Sequence, residues 1–231
     1  ILFAVDAAQT AGLVPIDVVT MNIDVVCFTG HKSLFGPSGT GGMYICEHVD
    51  IKPCRAGGTG VMSALKNQPD AYPWRMEFGT VNTMGVAGLL AAQRWIADRG
   101  GVGAVFEHEM RHAKRLHEGL SAIEGVQFYC ADLEHDHLPV FVFNIDGLPA
   151  DQTGTFLDVE HDVITRTGLH CAPQVHEGIG TFEADGTVRF SPGVFTTDEE
   201  VEHAIDAVAE VALIGQERVE SAKQPVLATN P

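Results

Sequence analysis

The chain has 231 residues and a formal net charge of −17, from 14 Lys and Arg against 31 Asp and Glu. So acidic a surface repels phosphate backbones and anionic lipid, which argues against nucleic-acid and membrane partners. With 45% hydrophobic and 19% charged residues it reads as globular, and no apolar run approaches the roughly 18 residues a membrane span needs.

In chain order, Ile1 to Val5 is a short apolar strand ending at Asp6, and Ile23 to Phe28 a second ending at Thr29. Both are near-continuous apolar runs, the pattern of parallel strands buried on both faces. Ile1 stands inside a strand-like run with no Met and no basic n-region, so earlier sequence is expected and a signal peptide is not. Gly36 to Gly42 is a turn cluster, Gly42 to Cys46 a third strand, and residues 50–82 are loops. A helix is expected over Met84 to Asp98, stopped by Gly100 and Gly101. A second covers Val102 to Ile123, with Phe106, Met110, Ala113, Leu116, Leu120 and Ile123 on one stripe. Strands follow at Val126 to Cys130 and Leu138 to Ile145, a helix near Asp151 to Val159, and strands at Val163 to Thr165 and Thr187 to Ser191. The last helix starts at a capping box, Thr197-x-x-Glu200, and buries Val201, Ile205, Val208 and Val211. The order predicts an α/β domain over residues 1–100, a smaller α+β domain over 101–215, and a loose polar tail over 216–231.

The five cysteines, Cys27, Cys46, Cys54, Cys130 and Cys171, are odd in number and irregular in spacing. That suits a reducing, cytoplasmic setting, with Cys27 and Cys46 expected in strand cores. Met43, Phe141 and Phe143 read as sheet core.

Chemistry concentrates at two strand ends. Asp6 closes the first strand, with Gln9 three residues on, and Thr29-Gly30-His31-Lys32 closes the second. Strand ends of parallel sheets face the ligand crevice. Either site alone is unremarkable: a strand-end Asp is commonly a turn former, and a loop Lys is commonly solvated. Together they offer what pyridoxal phosphate requires: an amine for its aldehyde, a carboxylate for its ring nitrogen, and phosphate donors in Thr29, His31 and the Gly-rich turn.

The segments VDAAQ, TGHKSLFGPSGTGGMYI, GGTG, RMEFGTVN and RTGLHCAP, in that order, resemble the class V aminotransferase superfamily, most closely its cysteine desulfurase and selenocysteine lyase branch. The resemblance covers Ile1 to about Thr197 and implies a fold-type-I pyridoxal-phosphate-dependent transferase, present here as its C-terminal part. It implies that Asp6 pairs with the pyridinium nitrogen, Gln9 with the ring hydroxyl, Thr29 and His31 with the phosphate, and Lys32 with the aldehyde as a Schiff base. Thr80 would reach the phosphate of a neighbouring subunit in a homodimer. Arg189 would grip the substrate carboxylate, with Arg166 a second arginine at the site, and Cys171 would take sulfur from L-cysteine, leaving alanine. A protein sulfur acceptor is a further implied partner. His170 and Arg166 are the cations expected to favour the Cys171 thiolate. Selenocysteine lyase, another class V activity, and a non-catalytic fragment remain open alternatives.

Three other motifs carry less. His108-Glu109-Met110-Arg111-His112 matches HExxH, but helical spacing puts both histidines opposite the apolar stripe, on the expected solvent face. GHKS lacks the upstream glycine of a P-loop. His170, Cys171 and His176 lack a fourth partner at metal-ligand spacing.

Overall fold

In the computed structural model, which describes residues 1–129, 133 and 137–223, β1 (Ala4–Asp6) and β2 (Val25–Thr29) run parallel. β3 (Gly41–Ile45) returns antiparallel along β2, giving the order β1-β2-β3. Because side chains alternate along a strand, Val5, Val26, Phe28 and Tyr44 share one face. They pack with Ala7, Ile23, Ala11, Ile16 and Val18 in the core of the first of two compact units, Ile1–Val105. On the opposite face Val25 is buried, but Ala4, Asp6 and Cys27 are exposed and Met43 is 38% exposed. The expectation of burial on both faces therefore holds for one face only, and Cys27 and Met43 are not core residues. An apolar run reports that its side chains can be buried, not that this chain covers them.

Helix α1 (Thr83–Asp98) begins where the Asn82 side chain accepts the Gly85 N–H at 2.9 Å. It lies against the loop after β2: Gln93 Nε2 donates to the Leu34 carbonyl at 3.0 Å, and the Phe35 and Trp95 rings meet edge-on at 5.7 Å.

The second unit, Phe106–Pro231, is built on an antiparallel sheet of order β4-β5-β7-β6. Its strands are β4 (Val126–Phe128), β5 (Phe141–Ile145), β6 (Arg166–Gly168) and β7 (Thr187–Phe190). Helices α2 (Gly101–Ser121), α3 (Ala150–His161), α4 (Pro173–Gly178) and α5 (Asp198–Lys223) complete the element list. Phe141, Phe143, Leu116, Leu120, Leu157, Val188, Val201, Val208 and Val211 form the core. The Thr197 capping box closes in both directions: Thr197 N–H to Glu200 Oε2 at 2.9 Å, and Glu200 N–H to Thr197 Oγ1 at 3.2 Å.

Three elements depart from expectation. The strand expected at Val163 to Thr165 begins instead at Arg166, because α3 continues to His161 and ends on a left-handed Asp162, leaving Ile164 exposed. Helix α4 lies in a stretch without periodic apolar signal. Residues 216–223, expected to be loose, are helical, held where Gln216 Nε2 reaches the Glu124 carbonyl at 3.0 Å and Arg218 Nη1 reaches Gln152 Oε1 at 2.7 Å. Cys130 and residues 224–231 lie outside the described residues. No described helix is long and apolar enough to cross a membrane.

Candidate active site

In the first unit the parallel register sets Asp6 beside Cys27, two residues short of Thr29 at the end of β2. Asp6 and Lys32 thus follow neighbouring strands off the same edge of the sheet, and both are exposed. Asp6 Oδ1 accepts the Ala8 N–H at 2.9 Å, turning the chain away from β1 toward Gln9, which is also exposed. That turn is pressed against the Lys32 loop. Gly12 has φ +97°, and a Cβ there would collide with the Ser33 carbonyl, so only glycine permits this approach. The Lys32 loop is itself tightly wound: Phe35 N–H donates to the Lys32 carbonyl at 2.9 Å, Gly36 N–H to Gly30 O at 2.7 Å, and Gly30 N–H to Thr40 O at 2.9 Å. Thr29 Oγ1 and His31 Nδ1 lie 2.9 Å apart, one hydroxyl and one imidazole side by side. Thr80 is exposed, and the Gly79 N–H before it donates to Gly58 O at 2.6 Å, so the GGTG and FGT segments lie together.

In the second unit Arg166 and Arg189 are direct partners across the β6–β7 ladder, on one face of the sheet. After β6 the chain turns sharply, with two consecutive non-glycine residues, His170 and Cys171, at φ +52° and +62°. Such left-handed backbone is uncommon and clusters at functional turns. It presents an exposed Cys171, whose Sγ accepts from Arg166 Nη2 at 3.0 Å. His170 turns inward, with Nε2 3.0 Å from Thr187 Oγ1 and its ring 5.5 Å from that of the buried His176. Burial, then the positive charge of Arg189, push the His170 pKa down to about 4. His170 is therefore neutral near pH 7, which corrects the expectation that it supplies positive charge to the thiol; Arg166, with Arg189 nearby, does so.

Arg189 is shifted as well: burial first, then Arg166, lower its pKa from the usual arginine value. Its Nε is buried without a hydrogen-bond partner, as is His170 Nδ1. Among the described residues neither Arg166 nor Arg189 has a carboxylate partner. Two neighbouring guanidinium groups, one of them partly desolvated, are suited to an anion.

The sequence profile described as Aminotransferase class-V matches residues 1–203. The chain belongs to the class-V aminotransferase family. Among curated members of that family it is 31% identical over 218 residues to a probable cysteine desulfurase of Methanothermobacter thermautotrophicus, which spans 93% of this chain and 54% of that protein. It is 34% identical over 217 residues to a probable cysteine desulfurase of Pyrococcus abyssi, spanning 91% and 52%. Among solved structures, the apo cysteine desulfurase of Thermococcus onnurineus NA1 superposes with a TM-score of 0.81 at 35% identity, over 92% of this chain and 52% of that one. The cysteine desulfurase CsdA of Escherichia coli, in an S-sulfonic acid form, does so with 0.80 at 28%, over 93% and 52%. The chain spans about half the length of the curated relatives it matches.

The fold class expected of a class-V aminotransferase is thus present, with Lys32 and Asp6 in the first unit and Cys171, Arg166 and Arg189 in the second. Thr187 and Thr181, which contact His170 and His176 behind the Cys171 turn, carried no sequence signal: nothing in their spacing links them to those histidines. The HExxH residues are placed differently from the expectation. His112 is 1% exposed and Glu109 5%, with His112 Nε2 3.2 Å from Asp198 Oδ1 and His108 Nε2 3.2 Å from Thr196 O. They form a buried contact with the start of α5, not a solvent face. Arg75, with Nη1 2.7 Å from Asp50 Oδ1, fastens the loop 50–75.

Proposed function

We propose that this chain carries the lysine-bearing and thiol-bearing parts of a pyridoxal-phosphate-dependent cysteine desulfurase acting on L-cysteine. The observation that carries the reading is the exposed Cys171 thiol, held 3.0 Å from the Arg166 guanidinium on a left-handed turn. The cysteine desulfurase relatives above support it.

The donor set fits the cofactor: an exposed amine and an exposed carboxylate leave neighbouring parallel strands at one edge, and a hydroxyl and an imidazole sit side by side for a phosphate. Pyridoxal phosphate, when bound, supplies an electron sink that lets an amino acid lose its α-proton and stabilises the electron pair left on the β-carbon when its sulfur is taken. Lys32 would hold the cofactor and, once displaced by the substrate amine, move the α-proton through Nζ. Asp6 would keep a proton on the ring nitrogen, and Gln9 would donate to the ring hydroxyl. Thr29 and His31 would bind the phosphate.

Arg189 would take the substrate carboxylate; its planar fork suits bidentate binding, and the carboxylate would partner the bare Nε. Arg166 would orient Cys171 through its donor to Sγ. Cys171 Sγ would then attack the substrate sulfur, forming the S–S bond as the C–S bond breaks; the C–S electron pair would stay on the substrate β-carbon, which takes up a proton, and alanine would leave. Because Cys171 is exposed, we infer that an acceptor protein collects the sulfur. We also infer a homodimer in which Thr80 reaches the partner's phosphate, and a cytoplasmic setting that keeps the free thiols of Cys27, Cys46, Cys54 and Cys171 reduced.

The test uses the complete, cofactor-loaded protein: L-cysteine is added and persulfide is mapped by mass spectrometry. Labelling at Cys171, lost in Cys171→Ala together with alanine release, is the expected result. An unlabelled Cys171 with the cofactor bound removes the sulfur chemistry. Amino-acid turnover retained in Cys171→Ala would favour another class V activity.

A further inference from the structure

At the opposite end of β2 from Thr29, the antiparallel register that pairs Val25 with Ile45 extends one step further and sets Asp24 beside Cys46. The Cys46 N–H donates to the Asp24 carbonyl at 2.8 Å, so the two side chains sit abreast on one face. A turn closed by the Val49 N–H on Cys46 O, at 2.9 Å, brings His48 back over them. His48 Nε2 lies 3.0 Å from Asp24 Oδ1, and one ligand atom from each of Asp24, Cys46 and His48 lies within 4.8 Å of the others. Among the described residues no other group of three His, Cys, Asp or Glu side chains converges in this way.

We propose that Asp24, Cys46 and His48 form a binding site for a thiophilic divalent metal ion, zinc by the chemistry of its donors. Thiolate, imidazole and carboxylate are the three zinc ligand types, and three protein ligands with water in the fourth position make an open tetrahedral site. Zinc bonds of ~2.0–2.3 Å place tetrahedral ligands roughly 3.3–3.6 Å apart. The mixed soft and hard donors rule against magnesium and calcium, which take oxygen alone.

Two features show that the site is organised rather than a chance meeting of surface groups. Asp24 is largely buried, with 16% of its side chain exposed, and its second oxygen accepts the Phe3 N–H at 2.7 Å, leaving Oδ1 to face His48. Such outer hydrogen bonds fix the orientation of a ligating carboxylate. Tyr44 lies on the same face, two residues before Cys46, with its phenol against the Cys46 sulfur, a polar neighbour that helps orient the thiol. The site involves none of the residues assigned to cysteine desulfuration.

Cobalt(II) tests the proposal, because a Co–thiolate bond gives a near-ultraviolet charge-transfer band and tetrahedral cobalt gives visible d–d bands. Titrated into the full chain in the Cys171→Ser background, Co2+ is expected to bind once per chain with both signatures, and Zn2+ to displace it. Cys46→Ser should abolish the charge-transfer band, and His48→Ala, at a side chain 63% exposed and so harmless to folding, should weaken binding at least tenfold. No thiolate band, or a band that survives Cys46→Ser, overturns the site. Cysteine desulfuration is not read out by this experiment, so each claim fails separately.

Discussion

Replacing Glu109 by Gln should change how stability depends on pH more than it changes stability itself. Glu109 is 5% exposed, and burial raises its pKa from 4.5 to about 7, offset in part by a hydrogen bond from the Val194 backbone. The Val194 backbone is the one group that acts against burial here. The folded chain therefore binds a proton that the unfolded chain has released between pH 4.5 and 7. This stabilisation is complete below pH 4.5 and is lost as pH rises through 7. At ~1.4 kcal/mol for each pH unit between the two values, the full effect is at most about 3 kcal/mol. A glutamine keeps the shape and the acceptor for Val194 but never ionises. Urea unfolding of wild type and Glu109→Gln at pH 5, 6, 7 and 8 should show the variant gaining on wild type by ~1–3 kcal/mol across that range. A difference that stays flat from pH 5 to 8 would refute the claim that Glu109 is buried and protonated.

Arg166→Ala should slow alkylation of Cys171 at pH 7 about tenfold or more, the loss of one charge-assisted hydrogen bond, measured against Cys54 as an internal control. His170, whose pKa falls from 6.5 to about 4, binds fewer protons folded than unfolded; its contribution is present above pH 6.5 and lost as pH falls toward 4, so His170→Gln should flatten acid unfolding over that interval. Gly12→Ala should cost at least ~2 kcal/mol, from left-handed backbone and a clash with the Ser33 carbonyl, and should lower cofactor occupancy at Lys32 in the complete protein, read from the visible absorbance. Thr197→Ala should cost about 1 kcal/mol by opening the capping box at α5, seen as a lower Tm with little change in Cys171 alkylation.

What could be read in advance was local. Asp6 and Lys32 stand at the ends of apolar runs, and a strand end is visible in a sequence. Thr197 and Glu200 form a four-residue signal whose partners are each other. What could not be read was set by distant pairing. His112 has no local reason to be buried; it is covered by the start of α5, from residues more than eighty positions away. Residues 216–223 are too polar to predict a helix, yet Gln216 and Arg218 are tied to Glu124 and Gln152. Asp24, Cys46 and His48 match no ligand spacing, because only the register of β2 on β3 makes them neighbours.

The pairing of Arg166 with Arg189 has the same origin and says most about the site. Like charges directly opposite across a ladder destabilise a sheet, and a half-buried guanidinium with a bare Nε adds a desolvation cost. The chain has 31 acidic residues with which to relieve that cost, and none of the described ones is placed against either arginine. Their absence cannot be put down to scarcity. On the proposed function it would keep the arginines available to a carboxylate arriving from solution, next to the Cys171 thiol that Arg166 contacts. On the proposed function these unfavourable electrostatics would be the source of selectivity: an anionic substrate would remove the repulsion and satisfy Nε at once.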